Sequence, residues 1–437
     1  MNSSKRHTLY IIAFLSAVIL LPSFGSRMMV GTGRVFSHVA QLSTAVQAEE
    51  TDTVSTVDTL ETDTLPWPQS LCNRIDTLIA RAELLQTSQL SMMVYDLTAD
   101  SCLYAFQEHQ TLRPASTMKT VTAITALDVL GGSYQFKTRL AYTGDIQNND
   151  SSTILNGNVY LIGGMDPRIG RDDVTALVES LKNLGIDTIR GNICADRSMK
   201  DSTPYGEGWC WDDDNPVLSP LVYGRKDALL TKFIDEMKEQ NIVCTGDTLT
   251  ETCPSEGACE ICSRSHSIDQ ILYRMLKNSD NLYAEAMFYN IAGTQGYPAK
   301  ASNARKVIET LIRKIGLNPS RYRIADGSGL SLYNYITTEL EIRFLRYAYM
   351  NSVIYNHLYQ ALPVAAVDGT LSKRMHDTSA AGNVHAKTGT VTGVSSLAGY
   401  ATASNGHILA FSIINQGVMH ADNAKRFQDN VCVAMTK

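Results

Sequence analysis

The stretch Pro114-Ala115-Ser116-Thr117-Met118-Lys119-Thr120 lies immediately before an apolar pattern with helical spacing. Apolar residues recur until Gly131 at Val121, Ile124, Leu127 and Leu130. The pattern predicts an amphipathic helix with Ser116 at or near its N-terminus. Lys119 lies one turn further along the same face. Because a lysine with a lowered pKa can take the proton of a serine hydroxyl, the pair is a candidate nucleophile and base.

Two later stretches strengthen this interpretation, Ser279-Asp280-Asn281 and Lys387-Thr388-Gly389-Thr390. A Ser-x-x-Lys pattern alone is also produced by a helix cap followed by a surface lysine. Ser-x-x-Lys, Ser-Asp-Asn and Lys-Thr-Gly together form the motif set of penicillin-binding proteins and class A β-lactamases. The sequence contains all three in that order, which predicts a serine enzyme that forms an acyl intermediate.

The N-terminus has the pattern of a secretory signal. Lys5 and Arg6 precede an apolar run at residues 9–21, which small residues follow up to Ser26. We expect residues 1–26 to be a signal peptide, although the cleavage position is ambiguous and an uncleaved anchor is the alternative. The run is shorter than the about 20 residues of a membrane span. The expectation is an exported, periplasmic protein with no stable membrane span after cleavage.

Residues 27–66 are interpreted as an exported leader and linker, because 49–65 are rich in threonine and acids with few large apolar residues. The folded part is expected to begin near Trp67. The net charge of −6 and the absence of long basic runs argue against nucleic acid as a partner.

The two ends of the folded part both predict antiparallel strands. Residues 90–97 and 102–107 form a hairpin pattern, and so do 396–403 and 407–415 around Asn405-Gly406. A helix is predicted before the first hairpin, and another at about 421–435 after the second. With the Lys387 stretch as a further strand and helices supplying Ser116 and Ser279, the fold class is α+β, with an antiparallel sheet against a helical cluster.

The interval from Ser116 to Ser279 is much longer than a direct helix-to-helix connection needs. Strand patterns such as 153–162 and a helical pattern at 174–184 lie within it. We therefore expect a large inserted domain at 136–264, which interrupts a catalytic domain made of 67–135 and 265–437.

Nine cysteines in an exported chain predict some disulfides. Cys72 with Cys102 is one candidate pair, and the cluster of Cys253, Cys259 and Cys262 can bridge internally or to Cys244. A zinc site at Cys259-x-x-Cys262-x-x-x-His266 is the alternative, which we disfavour for an oxidising compartment.

From about Trp67 to its C-terminus, the chain resembles D-alanyl-D-alanine carboxypeptidase/endopeptidases of the penicillin-binding protein 4 type, which carry a large insert between their first two motifs. Besides the three motifs, four stretches carry the resemblance: Gly157–Pro167, Gly208–Asp213, Asp326–Ser331 and Leu362–Leu371. Tyr223-Gly224-Arg225-Lys226 and the cysteine cluster depart from the family pattern.

The resemblance implies a transpeptidase/β-lactamase-like fold and a role for each motif residue. It implies Ser116 as nucleophile, Lys119 as its base, Ser279 as proton relay and Asn281 as a partner of Lys119 or the substrate amide. Lys387 and Thr388 would bind the substrate carboxylate, Gly389 would let substrate approach, and Thr390 would complete an oxyanion hole with Ser116. Asp280 is interpreted as a capping or solvated acid. The roles of Asp326 and Ser328 stay open.

The implied substrates are peptidoglycan stem peptides, with β-lactams as covalent inhibitors and no cofactor or metal. Two alternatives remain: a β-lactamase, which shares the acylation machinery, and a non-catalytic wall-binding protein. Class A β-lactamases place Ser-Asp-Asn closer to the nucleophile, and class C β-lactamases use tyrosine rather than serine in the second motif. Neither pattern fits this sequence.

Overall fold

The computed structural model describes residues 65–149, 152–210 and 215–437. The predicted signal peptide, nearly all of the predicted linker and residues 211–213 of the Gly208–Asp213 stretch lie outside these ranges. Among the described residues, no helix is long and apolar enough to cross a membrane.

The segment that precedes the predicted insert contains two helices and a hairpin: α1 (Trp67–Ala80), β1 (Gln89–Asp96), β2 (Ser101–Phe106) and α2 (Met118–Leu130). Helix α1 ends at Ala80, and a short 3₁₀ turn, Glu83–Gln86, follows it before β1.

The middle segment contains most of the short strands and two helices. In chain order these are β3 (Gln135–Tyr142), β4 (Asp145–Asn149), β5 (Ser152–Asn156), β6 (Val159–Ile162), α3 (Arg171–Asn183), β7 (Ile186–Ile189), β8 (Ile193–Asp196), β9 (Val222–Tyr223), β10 (Lys226–Asp227), α4 (Leu229–Glu239), β11 (Val243–Cys244), β12 (Thr248–Leu249) and β13 (Cys259–Ser267).

The last segment contains five helices, then three strands and a closing helix. They are α5 (Ile268–Lys277), α6 (Asn281–Gly293), α7 (Ala301–Lys314), α8 (Thr338–Met350), α9 (Ser352–Ala361), β14 (His385–Val391), β15 (Val394–Thr402), β16 (Ile408–Gln416) and α10 (Ala421–Thr436).

Strands from both ends of the folded part form one antiparallel sheet in the order β14-β15-β16-β1-β2. One face packs against α1 and α10, and the other against the helical cluster that includes α8. Because β14 pairs with one named strand, β15, and only its first residues also bridge to Pro363 and Val364, the Lys387 stretch is an edge strand. The predicted α+β arrangement is confirmed.

Helix α2 is central in the helical cluster, and every residue from Met118 to Leu127 is buried. The prediction of an amphipathic helix is therefore wrong, since α2 has neighbours on all sides: α5, α6, α7, α8 and α9. Its threonines are tolerated there because their hydroxyls bond to carbonyls, as Thr125 Oγ1 does to Val121 O at 2.8 Å.

The middle segment builds a four-stranded sheet, β11-β7-β5-β4, and a five-stranded sheet, β12-β8-β6-β3-β13. The run predicted as one strand at 153–162 is divided between them. The division falls at Gly157, where a Cβ would lie 1.7 Å from the Thr143 carbonyl oxygen. The chain crosses between the sheets at that close approach, so β5 and β6 pair with different partners.

None of the predicted disulfides is present, and all nine cysteines are unpaired. The thiols contact other groups instead of one another. Cys72 Sγ donates to the Leu103 carbonyl at 3.2 Å, and Cys262 Sγ donates to the Ser180 hydroxyl at 3.1 Å.

The disfavoured zinc set is also dispersed. His266 Nδ1 lies 2.7 Å from Asp166 Oδ2, so this imidazole contacts a carboxylate rather than a cysteine. In the described ranges, no three His, Cys, Asp or Glu side chains are grouped as a metal site.

Candidate active site

Ser116 lies in the 3₁₀ turn Ala115–Thr117 that leads directly into α2. Ala115 has a φ of 49°, an unusual conformation for a residue with a Cβ. The turn leaves Ser116 partly exposed, while Thr117 and Lys119 behind it are buried. The hydroxyl therefore points to an accessible surface at the N-terminus of a helix, where backbone N–H groups favour a developing anion.

Lys119 is completely buried, and its ammonium nitrogen has three oxygen partners. Nζ lies 3.0 Å from Ser116 Oγ, 2.8 Å from Asn281 Oδ1 and 2.7 Å from the Ser328 carbonyl oxygen. Burial lowers the pKa of Lys119 to about 8, although nearby acids oppose the shift. A buried lysine with a pKa near neutrality can exist as the free amine that a general base must be.

Ser279 and Lys387 form a second serine–lysine pair. Lys387 Nζ donates to Ser279 Oγ at 2.9 Å and to the Thr388 carbonyl at 2.6 Å. Burial holds the pKa of Lys387 well below its usual range, and the charge of Lys119 lowers it further. The two lysines are therefore close enough to repel each other when both are charged.

Ser279 is not on a helix, contrary to the prediction. It lies in the turn between α5 and α6 with a φ of 58°. Asp280, the next residue, caps α6 by accepting from the Leu282 N–H at 3.1 Å, which agrees with the capping role expected for it. The cap starts α6 at Asn281, so Ser279 and Asn281 reach Lys387 and Lys119 from one short turn.

The edge strand β14 passes close to the nucleophile turn at Gly389. A Cβ there would lie 2.9 Å from the Ser116 nitrogen and 2.1 Å from the Ser396 hydroxyl. Only glycine fits this approach without displacing the nucleophile turn. Thr388 bonds to Thr370 through hydroxyls 2.7 Å apart, and Thr390 is exposed at the outer end of the strand.

Asp326 and Ser328 belong to a buried loop under the site. Asp326 Oδ1 accepts from the Gly329 N–H at 2.8 Å. Its Oδ2 accepts at 2.8 Å from Nε1 of Trp209, which belongs to the middle segment. Asp326 therefore organises the loop, and Ser328 contributes its backbone carbonyl to Lys119 rather than its hydroxyl.

Glu285 was not singled out from the sequence, and it is 1% exposed. It follows Asn281 by one helical turn on α6, which is the signal that could have revealed it. Burial and the charge of Asp326 raise the pKa of Glu285 to about 8.

The structure thus brings six of the eight predicted residues into direct contact around one cleft: Ser116, Lys119 and Asn281 in one cluster, Ser279, Lys387 and Thr388 in the other. Gly389 touches the backbone of the first cluster, and Thr390 lies one residue beyond it. The edge strand can pair with an extended peptide. The accessible Ser116 hydroxyl, beside a buried amine of lowered pKa, can then attack that peptide and become acylated.

Comparison with known proteins agrees with this arrangement. The chain is 26% identical over 382 residues to D-alanyl-D-alanine carboxypeptidase DacB of Haemophilus influenzae, covering 68% of this chain and 79% of the relative. It is 27% identical over 430 residues to a D-alanyl-D-alanine carboxypeptidase of an Actinomadura species, covering 75% and 77%.

The crystal structure of penicillin binding protein 4 from Haemophilus influenzae has the same fold, with a TM-score of 0.75 at 22% identity over 82% of this chain and 98% of that one. The sequence also matches one protein family over residues 71–224 and 221–437, nearly the whole described part. The chain belongs to the D-Ala-D-Ala carboxypeptidase 3 (S13) family.

Proposed function

We propose that this D-Ala-D-Ala carboxypeptidase releases the terminal D-alanine of peptidoglycan stem peptides through an acyl-enzyme on Ser116. The same chemistry would cut D-alanyl cross-links as an endopeptidase. The observation that carries the proposal is the 3.0 Å contact between the accessible Ser116 hydroxyl and the buried Lys119 amine. A cell-wall substrate agrees with the exported, periplasmic location that we infer from the N-terminal pattern.

In the acylation step, the neutral amine of Lys119 takes the proton of Ser116 as Oγ attacks the carbonyl carbon of the penultimate D-alanine. The backbone N–H groups of Ser116 and Thr390 hold the oxyanion. The peptide C–N bond then breaks, and the proton that Lys119 took passes through Ser279 to the leaving nitrogen, so that free D-alanine departs and Lys119 is neutral again. Water then attacks the ester carbonyl, Lys119 takes a proton from the water, and the ester C–O bond breaks as Lys119 returns that proton to Ser116 Oγ.

We propose that Lys387 and Thr388 hold the terminal carboxylate of the substrate. Within the described ranges, Lys387 makes no hydrogen bond or ion pair with an acid, and its Nζ donates to the Ser279 hydroxyl and the Thr388 carbonyl. An arriving carboxylate would stabilise the ammonium form of Lys387, because an opposite charge nearby raises the pKa of an amine.

Lys387→Ala should weaken the use of peptides with a free terminal carboxylate by about 1.5–3 kcal/mol in kcat/KM. Peptides with an amidated C-terminus lack the anion, so the same substitution should cost them much less. Steady-state D-alanine or D-alaninamide release from the matched pair of peptides measures the difference. Equal losses on both peptides would contradict carboxylate binding by Lys387.

Peptide should turn over while penicillin stays attached. D-alanine leaves by diffusion and opens the cleft to water, whereas the leaving amine of a β-lactam remains tethered to the acyl group and blocks that approach. D-alanine release from a D-Ala-D-Ala peptide, together with stopped-flow acylation and release of penicillin, tests the proposed function. Rapid multiple turnover of penicillin without D-alanine release would identify a β-lactamase, and no reaction with either would identify a wall-binding protein.

We propose that residues 136–264 form an inserted domain that restricts access to the cleft. The hairpin of β9 and β10 supports this role, because Arg225 at its tip lies 3.8 Å from Asp280 beside Ser279. Trp209 supports it as well through its bond to Asp326. Both contacts involve neighbours of the proposed catalytic residues, which supports a role of the insert in access to them.

A further inference from the structure

The carboxyl group of Glu285 holds the backbone of the loop beneath the catalytic lysine. Its Oε1 accepts from the N–H of Gly327 at 3.1 Å and from the N–H of Ser328 at 2.8 Å. Buried N–H groups without a partner are costly, so one oxygen satisfying two of them is a strong constraint on the loop.

The loop held by Glu285 touches Lys119 and the turn that carries Ser116. The Ser328 carbonyl accepts from Lys119 Nζ at 2.7 Å. Gly329, with a φ of 76°, packs so closely on the nucleophile turn that a Cβ would lie 1.8 Å from the Ala115 carbonyl oxygen. A displacement of the loop would therefore move the base and press on the turn that carries the nucleophile.

We propose that Glu285 is a positioning residue for Lys119: through the Gly327–Ser328 backbone it fixes the carbonyl that, with Asn281, holds the Lys119 amine against Ser116. The inference rests on the proposed roles of Ser116 and Lys119. It adds a residue that touches neither substrate nor Ser116 and that acts through the loop.

The protonation state of Glu285 bears on the test. Titratable groups of several elements face the pair: Asp280, Asp326 and Lys387 act on Lys119, and Asp326, Tyr289 and Lys200 act on Glu285. Because burial and Asp326 raise the pKa of Glu285 to about 8, its carboxyl is mostly neutral over the acidic limb of acylation. A neutral glutamine at this position should therefore leave that limb close to the wild-type pH.

The test compares Glu285→Gln and Glu285→Met in the full chain, using the rate of penicillin acylation against pH. Glutamine is neutral and can still accept both N–H bonds, so we expect a plateau rate and an acidic limb close to those of the wild type. Methionine cannot accept them, so we expect a plateau rate about 10–100-fold lower with unchanged penicillin affinity. Thermal unfolding checks that each variant is folded.

Asp96→Leu is the matched control for Glu285→Met. Asp96 is 2% exposed, and its Oδ1 likewise accepts from two backbone N–H groups, those of Thr98 and Ala99, at 2.9 Å each, but these lie in the turn after β1 rather than beneath Lys119. We expect this variant to be acylated at the wild-type rate. A wild-type rate in Glu285→Met, or a Glu285→Gln rate as low as that of Glu285→Met, overturns the inference. Where Glu285→Met does not fold, Glu285→Ala takes its place.

The same assay separates this inference from the proposed function. Normal acylation of Lys119→Ala would remove the proposed base and the inference with it. Loss of acylation in Lys119→Ala with wild-type behaviour of both Glu285 variants would overturn the role of Glu285 alone.

Discussion

Ser116→Ala should abolish penicillin labelling and lower D-alanine release on the order of 10⁴–10⁶-fold. The serine oxygen forms the bond that defines the acyl-enzyme, and an alanine offers no atom in its place. Mass spectrometry of a penicillin-treated digest should find the adduct on the peptide that contains Ser116 in the wild type, and no adduct in the variant.

Ser279→Ala is the sharp control, because the cleft contains two serine–lysine pairs with nearly equal separations, 3.0 Å for Ser116–Lys119 and 2.9 Å for Ser279–Lys387. Ser116 lies at the N-terminus of α2, whereas the N-terminus of α6 next to Ser279 is capped by the Asp280 side chain. We expect Ser279→Ala to acquire the label at Ser116, more slowly than wild type. An adduct on Ser279 would reverse the assignment of the two pairs.

Lys119→Ala should lower the acylation rate by about 10²–10⁴-fold, the usual contribution of a general base. Because the neutral amine is the active form and the pKa of Lys119 is about 8, wild-type acylation should rise with pH through that value. Stopped-flow acylation across this pH range measures both effects, and the rising limb should be absent from the variant.

Lys119→Arg separates charge from proton acceptance. The guanidinium keeps a positive charge and can donate hydrogen bonds, but it does not lose its proton in proteins. It should therefore be as slow as Lys119→Ala. Acylation of either variant near the wild-type rate would mean that another base is at work, with Lys387 acting through Ser279 as the alternative.

Local spacing was enough to predict several parts of the site. Ser116 and Lys119 are three residues apart before a helix, so their contact follows from helix geometry. Asp280 as a cap, the Asn405-Gly406 hairpin and the strand at Lys387 follow from equally local preferences. The motif order and the long interval between the first two motifs then indicated the family and the insert.

Contacts between distant segments were not predictable in this way. The prediction of an amphipathic α2 is wrong because helices that follow it in the sequence pack against its threonine face and bury it. The predicted disulfides are absent from the structure, since cysteine spacing carries no information on which thiols face each other. In the sequence Glu285 is an acid on a predicted helix like many others. Its contact with the backbone at 327–328 exists only in the folded chain.

The sequence by itself determined the α+β class and the family and predicted the candidate reactive groups, because these depend on residue types at short spacings and on motif order. Only the tertiary structure decided which acid holds the loop beneath Lys119, where Ser279 lies and how low the lysine pKa values fall. Burial and charge act through space, and the groups responsible, Lys119, Glu285 and Lys387, come from three segments that meet only in the folded chain.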